Sequence, residues 1–150
     1  MKPIEEVIIK KKTNINTIWL MRQAGRYLPE FRKIRKKNPD FINLCLNEKL
    51  VPQITLQPLK RFDLDAAIIF SDILMIPFAL GQEVTFKKNY GPILSNLNMS
   101  NTEQVNKEDF KKRLKPVYNS MNILSKKLKG KNKSLIGFTG APWTTMVYML

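Results

Sequence analysis

The chain has 150 residues, of which 43% are apolar and 25% are charged, a composition typical of one folded domain and not of a disordered chain. It contains no histidine and one cysteine, Cys45, which excludes a His-based catalytic triad, a histidine metal site and an internal disulfide. A lone cysteine also favours a reducing compartment, so we expect a cytoplasmic protein.

The formal net charge is +14, from 26 basic and 12 acidic side chains. Because lysine and arginine contacts to phosphate dominate nucleic-acid affinity, one interpretation is a basic nucleic-acid-binding module. The charge is spread along the chain, which favours ordinary solvated surfaces. Four of the six arginines, however, lie close together, at Arg22, Arg26, Arg32 and Arg35. This cluster indicates bidentate binding of carboxylate or phosphate, which we assign to Arg22 and Arg26.

The chain shows no pattern of a secretory signal or a membrane span. The apolar stretch at the N-terminus is short and runs into lysines. The longest apolar run, residues 66–81, is shorter than the roughly 20 residues that a bilayer requires and contains Asp72. We therefore expect no membrane-spanning helix.

The first third of the chain predicts one strand and two helices. Residues 17–21 form a short apolar, β-rich run that indicates a buried strand, followed by a polar loop that begins at Arg22. A helix over 29–37 opens with a proline, which a first helical turn tolerates. Apolar residues in 48–61 follow a rough helical period, although two prolines make a regular helix uncertain.

The middle of the chain predicts further strands. Residues 66–70 form a continuous apolar run, as expected of a strand that is buried on both faces. A short helix or turn follows over 73–80, and a strand over 83–86. Residues 90–100 contain Gly-Pro and several asparagines, and this composition indicates a loop.

The last third predicts one long helix, or two helices broken near Pro116, over 106–128, and then a strand over 135–139. Apolar side chains recur on one face of the long helix and should pack into the core: Leu114, Val117, Met121, Leu124 and Leu128. A new helix starts near Pro142 and the sequence stops within it, so we expect a fragment of a larger domain.

Alternating strands and helices predict an α/β protein with a parallel sheet. A nucleotide-binding doubly wound sheet has no support, because no G-x-G-x-x-G or P-loop motif follows a strand. Three or four βα units in 150 residues instead match the N-terminal half of a (β/α)8 TIM-type barrel, which needs roughly 250 residues. The whole chain would then be one incomplete barrel domain.

In such barrels the reacting groups follow the C-terminal ends of the strands. This rule selects three groups of residues: Arg22, Gln23 and Arg26, then Ser71 and Asp72, then Gly140 to Trp143. The combination offers guanidinium groups and one carboxylate, without a metal-ligand set. It suits a small polyanion that also presents N–H donors or a developing positive charge.

Three segments resemble one enzyme family. MRQAGRYLPEFR at 21–32, LQPLKRFDLDAAIIFSDIL at 56–74 and IGFTGAPWTTMVY at 136–148 are similar, in order and spacing, to uroporphyrinogen decarboxylases. The resemblance implies a dimeric (β/α)8 barrel that uses neither metal nor organic cofactor. It also implies decarboxylation of the four acetate side chains of uroporphyrinogen III to coproporphyrinogen III, in haem and porphyrin biosynthesis.

The resemblance also implies residue roles. Asp72 would accept the pyrrole N–H groups at the centre of the macrocycle, and Arg22 would be a second catalytic residue that holds a carboxylate. The substrate-binding residues would be Arg22, Gln23, Ala24, Gly25, Arg26, Asp72 and Tyr148. The serine and histidine contacts of the family would lie beyond residue 150.

Several alternatives stay open. Asp72 could act only as a helix N-cap, and Tyr148 could be a core residue. The whole protein could be a methyltransferase of the same barrel superfamily, with a zinc site formed by later residues. The nucleic-acid-binding module predicts a steep salt dependence to which many lysines contribute nearly equally.

Overall fold

The computed structural model describes residues 1–12, 14–21, 23–24, 27–87, 89–97 and 105–150. In chain order its elements are α1 (Pro3–Lys10), α2 (Pro29–Lys37), α3 (Phe41–Cys45), α4 (Leu50–Arg61), β1 (Ala66–Ile68), α5 (Met75–Ala79), β2 (Val84–Lys87), β3 (Gly91–Leu94), α6 (Lys107–Leu128), β4 (Ser134–Ile136) and α7 (Pro142–Met149). The mixture of helices and strands confirms the α/β class.

The helices that the sequence predicts are present, whereas α1 and α3 were not predicted. Pro29 occupies the first turn of α2, whose predicted bounds are confirmed. The helix α4 is continuous although it contains two prolines, and Pro52 lies in its first turn, where no backbone N–H is needed. Asn106 caps α6 by accepting hydrogen bonds from the N–H groups of Glu108 and Asp109. Pro116 does not break α6, which runs as one helix.

Strands β1 and β4 form a parallel pair, as predicted. Their register aligns Ala66 with Ser134 and Ile68 with Ile136, and Ile69 N–H continues the pairing to the Ile136 carbonyl. The two strands are separated in sequence by helices α5 and α6, the kind of crossover that parallel pairing requires. Helix α4 packs on β1, and α6 packs on α4, α5 and β4.

The core lies between these helices and the β1–β4 pair. Most of the apolar stripe of α6 points into it, since Leu114, Leu124 and Leu128 are buried and Val117 and Met121 pack against the buried cluster. This confirms the predicted role of the stripe. The remaining core residues come from several elements: Leu44, Val51, Ile54, Ile69, Phe70 and Leu74 among them.

The predicted loop over 90–100 is wrong in its first part. Residues Gly91–Leu94 form β3, which pairs antiparallel with β2 in a separate hairpin. The turn is made possible by positive φ angles of 67° at Asn89 and 97° at Gly91, which asparagine and glycine adopt with little strain. Pro92 is tolerated because the hairpin has only two strands, and a proline on an edge strand removes no needed donor. Residues 98–100 lie outside the described part of the chain.

The predicted strand over 17–21 is also wrong. This segment is extended without strand pairing, and Ile18, Trp19, Leu20 and Met21 are exposed, with Met21 reaching 79%. The hydrogen bonds of the segment explain why it is not a strand, because side-chain oxygens accept from its N–H groups where a neighbouring strand would offer backbone carbonyls. The N–H groups of Ile18 and Leu20 donate to side-chain oxygens and not to backbone carbonyls.

Candidate active site

Asp72 lies four residues beyond β1, just before α5. Its Oδ1 accepts a hydrogen bond from Leu74 N–H at 2.8 Å, and its carbonyl accepts one from Met75 N–H. The carboxylate therefore closes a turn ahead of α5, whose N-cap is Leu74 and has no side-chain cap, so the alternative that Asp72 is the helix N-cap is wrong. Among the described residues no lysine or arginine forms an ion pair with Asp72.

The electrostatic environment of Asp72 is unusual for a carboxylate. Burial raises the pKa of Asp72 above its ordinary value, because desolvation outweighs the opposing hydrogen bond from Leu74. The pKa of the Cys45 thiol is also raised, first by burial of the thiol and second by the negative charge of Asp72. The charge of Asp72 therefore acts on a buried core residue. A half-buried carboxylate that has no cationic partner in the described part of the chain favours a ligand that brings N–H donors or positive charge to it.

Thr55 fixes the end of β1 that leads to Asp72. Its hydroxyl donates to the Val51 carbonyl one helical turn earlier, at 2.8 Å, and accepts from Phe70 N–H at 2.9 Å. The side chain is only 1% exposed, so this bond is shielded from water. Thr55 was not predicted as a site residue, since a threonine within a helix carries no signal of a distant backbone partner.

The turn after β4 approaches the same edge of the sheet. A Cβ on Gly140 would contact the hydroxyl of Thr145 and would lie 3.3 Å from the carbonyl oxygen of Ile73, the residue after Asp72. The glycine therefore allows the two strand-end segments to pack closely. This contact brings together two of the three groups of residues that the strand-end rule selected.

The third group follows the extended segment at 14–21. Gln23 is 2% exposed, and its amide bonds to the main chain at both ends: Oε1 accepts from Leu20 N–H and Nε2 donates to the Ala66 carbonyl, each at 2.9 Å. Asp65 provides a second junction, because its carboxylate accepts from Ile18 N–H while its own N–H donates to the Ile18 carbonyl. These bonds hold the segment beside the start of β1. Asp65 was not predicted as a functional residue.

The other predicted site residues have varied positions. Ala24 is partly buried and packs against the core, whereas Tyr148 is 44% exposed near the end of α7. That end of α7 is held by a hydrogen bond from Gln82 Nε2 to the Met149 carbonyl, while Gly140 and the start of α7 lie beside Ile73. Among the described contacts, none joins Tyr148 to Asp72. The predicted residues Arg22, Gly25 and Arg26 lie outside the described residues.

The described residues include neither a metal-ligand cluster nor a membrane-spanning helix. They contain no group of three or more cysteine, aspartate or glutamate side chains placed to hold a metal ion. They also contain no helix that is both long enough and apolar enough to cross a membrane. The site as described consists of a carboxylate, close-packed turns and the exposed segment that precedes position 22.

Comparison with known proteins places these features in a family. The family model described as uroporphyrinogen decarboxylase (URO-D) matches residues 1–150. The chain is 48% identical over 133 residues to the uroporphyrinogen decarboxylase of a Chelativorans species, covering 89% of this chain and 39% of the relative. It is 45% identical over 146 residues to that of a Nitratiruptor species, covering 97% and 43%.

A third uroporphyrinogen decarboxylase, from Rickettsia felis, is 46% identical over 142 residues, which cover 95% of this chain and 41% of that protein. The chain thus spans about two fifths of the length of the curated relatives that it matches. The family model extends over all three segments that carried the resemblance, and the methyltransferase and nucleic-acid alternatives are not favoured. The chain belongs to the uroporphyrinogen decarboxylase family.

Proposed function

We propose that residues 1–150 form the N-terminal part of a single (β/α)8 barrel domain, whose remainder lies outside this chain. We further propose that the full-length gene product decarboxylates the four acetate side chains of uroporphyrinogen III to give coproporphyrinogen III. The parallel pairing of β1 with β4 across helical crossovers supports the barrel. The family membership and the names of the relatives support the reaction.

The observation that carries the proposal is the environment of Asp72. A carboxylate that is half-buried, raised in pKa and without a cationic partner among the described residues is costly unless a ligand compensates it. The four pyrrole N–H groups of a porphyrinogen are donors of the required kind. The carboxylate would accept them at the centre of the macrocycle.

The chemistry requires stabilisation of positive charge. A proton adds to a ring carbon of one pyrrole, which makes the ring cationic and able to accept an electron pair. The bond between the acetate CH2 and its carboxylate then breaks, CO2 leaves, and the electron pair moves into the ring. The resulting exocyclic methylene takes a proton while the ring carbon releases one, which leaves a methyl group. Each arm consumes one proton, and the substrate itself supplies the electron sink, so no cofactor is needed.

Asp72 would stabilise this reaction as a fixed negative charge. The pyrrole cation forms only transiently, so a carboxylate already in place favours the transition state over the neutral ground state. Arg22 would hold the carboxylate of the reacting arm. The other acetate and propionate groups would bind at the remaining predicted positions: Gln23, Ala24, Gly25, Arg26 and Tyr148.

The proposal extends to assembly and location. By resemblance to the family, the full-length protein would act as a homodimer on a free tetrapyrrole substrate, without binding nucleic acid or membranes. The free, buried thiol of Cys45 supports a cytoplasmic location, since secreted proteins more often pair their cysteines.

The test is an anaerobic assay of the full-length gene product with uroporphyrinogen III, in which the porphyrins are separated by chromatography after oxidation. We expect Asp72→Asn to lower kcat by about 100-fold or more, the magnitude typical of removing one preorganised electrostatic group. Lys126→Ala, on the exposed face of α6, is the control and should retain wild-type turnover. Full activity of Asp72→Asn would contradict the role assigned to this carboxylate.

A further inference from the structure

The side chain of Gln23 replaces part of a strand ladder. Along the 18–21 segment the backbone does not pair with β1, and the Gln23 amide bridges the gap by accepting from Leu20 N–H and donating to the Ala66 carbonyl. The amide is almost completely buried, and both of its ends are engaged with main-chain atoms. Each end keeps one further hydrogen-bonding position, but burial leaves almost none of the side chain accessible to a ligand.

A primary amide meets both requirements at this position at every pH at which the protein is folded. The Leu20 N–H needs an acceptor and the Ala66 carbonyl needs a donor, and the carboxamide presents one of each in a single plane. A leucine would provide neither, and a carboxylate would provide only acceptors. Because the site is buried, a missing partner leaves a polar group without compensation from water.

The bridge determines the course of the chain next to the predicted arginines. Leu20 is two residues before position 22 in sequence, and Gln23 follows that position directly. Ile18 is fixed independently, because it exchanges hydrogen bonds with Asp65 at 2.8 Å in both directions. The main chain is therefore tied to the start of β1 on both sides of position 22, while Met21 stays exposed.

We propose that Gln23 is a positioning residue and not a substrate ligand. Its side chain acts through the backbone of Leu20 and the start of β1 to fix the described residues on either side of position 22, which are next in sequence to the arginine that the proposed function assigns to a substrate carboxylate. This inference rests on the proposed function and revises one part of it, since the resemblance implied direct contact between Gln23 and the substrate.

The experiment uses Gln23→Glu in the full-length protein and follows KM for uroporphyrinogen against pH. A protonated glutamic acid has the same donor and acceptor as glutamine, whereas an ionised one cannot donate to the Ala66 carbonyl. Burial raises the pKa of such a carboxyl, so both forms are accessible between about pH 5.5 and about pH 8. Relative to wild type, KM should rise about tenfold or more at the upper pH and return towards the wild-type value at the lower pH. The kcat ratio should change much less.

Two further variants separate positioning from a general loss of structure. Gln57 is a second buried glutamine, on α4, and Gln57→Glu introduces the same chemical change away from the segment. We expect it to reduce stability with a similar pH dependence while leaving KM unchanged. Gln23→Leu lacks both partners, and its raised KM should not recover at low pH.

Amide hydrogen exchange gives a readout that does not depend on turnover. Exchange at Leu20 should accelerate in Gln23→Leu relative to wild type at the same pH, because this variant removes the acceptor of the Leu20 N–H group. If the wild-type protein does not turn over uroporphyrinogen, the proposed function fails, and binding of uroporphyrin as a polycarboxylate probe replaces KM. A pH-dependent loss of affinity then still supports the positioning role. A KM or Kd for Gln23→Glu that matches wild type at about pH 8, or that is raised equally at every pH, overturns it.

Discussion

Replacing Thr55 by valine tests whether one hydroxyl fixes the end of β1. Valine has nearly the shape of threonine, so the substitution should leave no cavity at a position that is 1% exposed. It removes the acceptor of Phe70 N–H, which is buried and bonded at 2.9 Å. The Val51 carbonyl loses less, because it lies within α4 and can keep its helical hydrogen bond.

The expected cost follows from the unsatisfied donor. A buried N–H without a partner costs about 1–3 kcal/mol, so Thr55→Val should lower the free energy of unfolding by about 2 kcal/mol. With a urea m-value of about 2 kcal/mol/M, the midpoint would fall by about 1 M. Thr55→Ser keeps the hydroxyl and loses one methyl group, a cost of about 1 kcal/mol.

The order of the two variants is the decisive result. Hydrophobic burial alone makes valine the better replacement, because it retains both branches of the side chain and adds no polar atom. The hydrogen bond to Phe70 makes serine the better one. Equilibrium urea unfolding measures this order, and amide exchange at Phe70 should accelerate only in Thr55→Val. A serine variant less stable than the valine variant would refute the reasoning.

Three further predictions concern charge and packing. Burial raises the pKa of Asp72, so ionisation of this carboxyl group in the folded protein opposes folding at neutral pH. Asp72→Asn should therefore be more stable than wild type at neutral pH. In acid, where Asp72 is protonated in both the folded and the unfolded protein, this difference in stability should disappear. The bidentate ion pair with Arg61 lowers the pKa of Glu30 to about 2. The pair therefore contributes stability that is lost as the pH falls from about 4.5 towards 2. In Glu30→Gln, the free energy of unfolding should not show this loss over the same pH range. Gly140→Ala should destabilise by about 1–3 kcal/mol in thermal or urea unfolding, while Gly137→Ala, whose Cβ meets only an ordinary contact, should change little.

The elements that sequence reasoning predicted correctly are those whose signals are local. Pro29 marks the first turn of α2, and the periodic apolar stripe marks α6. The apolar run that contains β1 has no polar side chain that could face water on either side of the sheet. Such runs are typical of strands that are covered on both faces. Each of these signals lies within the element that it predicts.

The wrong secondary-structure predictions concern segments whose backbone hydrogen-bond partners lie elsewhere in the chain. The apolar run at 17–21 looks like a strand, yet a strand exists only if another backbone accepts its hydrogen bonds, and here Gln23 and Asp65 do so with side chains. In β3 the Gly91-Pro92 pair signals a loop, but the positive φ of Gly91 and a free strand edge make both residues compatible with a hairpin. Composition does not distinguish these outcomes.

The candidate site shows the same division. That Asp72 follows a buried strand was enough to select it, because strand ends in α/β proteins share one edge. The raised pKa was not predictable, since it depends on how deeply the carboxylate is desolvated. The contribution of Thr55 was hidden for a related reason. Its partner is fifteen residues away and is reached only because α4 packs on β1.

The polar side chains around β1 thus fall into two classes with different physical consequences. Gln23, Thr55 and Asp65 use their hydrogen-bonding groups on the main chain, and through it they determine where neighbouring side chains lie. Loss of such a group should reduce stability and displace the site together. Asp72 instead keeps a desolvated carboxylate that accepts one hydrogen bond, from Leu74 N–H, among the residues that the structure describes. Its removal should raise stability and abolish turnover, so the sign of the stability change distinguishes a residue that positions the site from one that performs its chemistry.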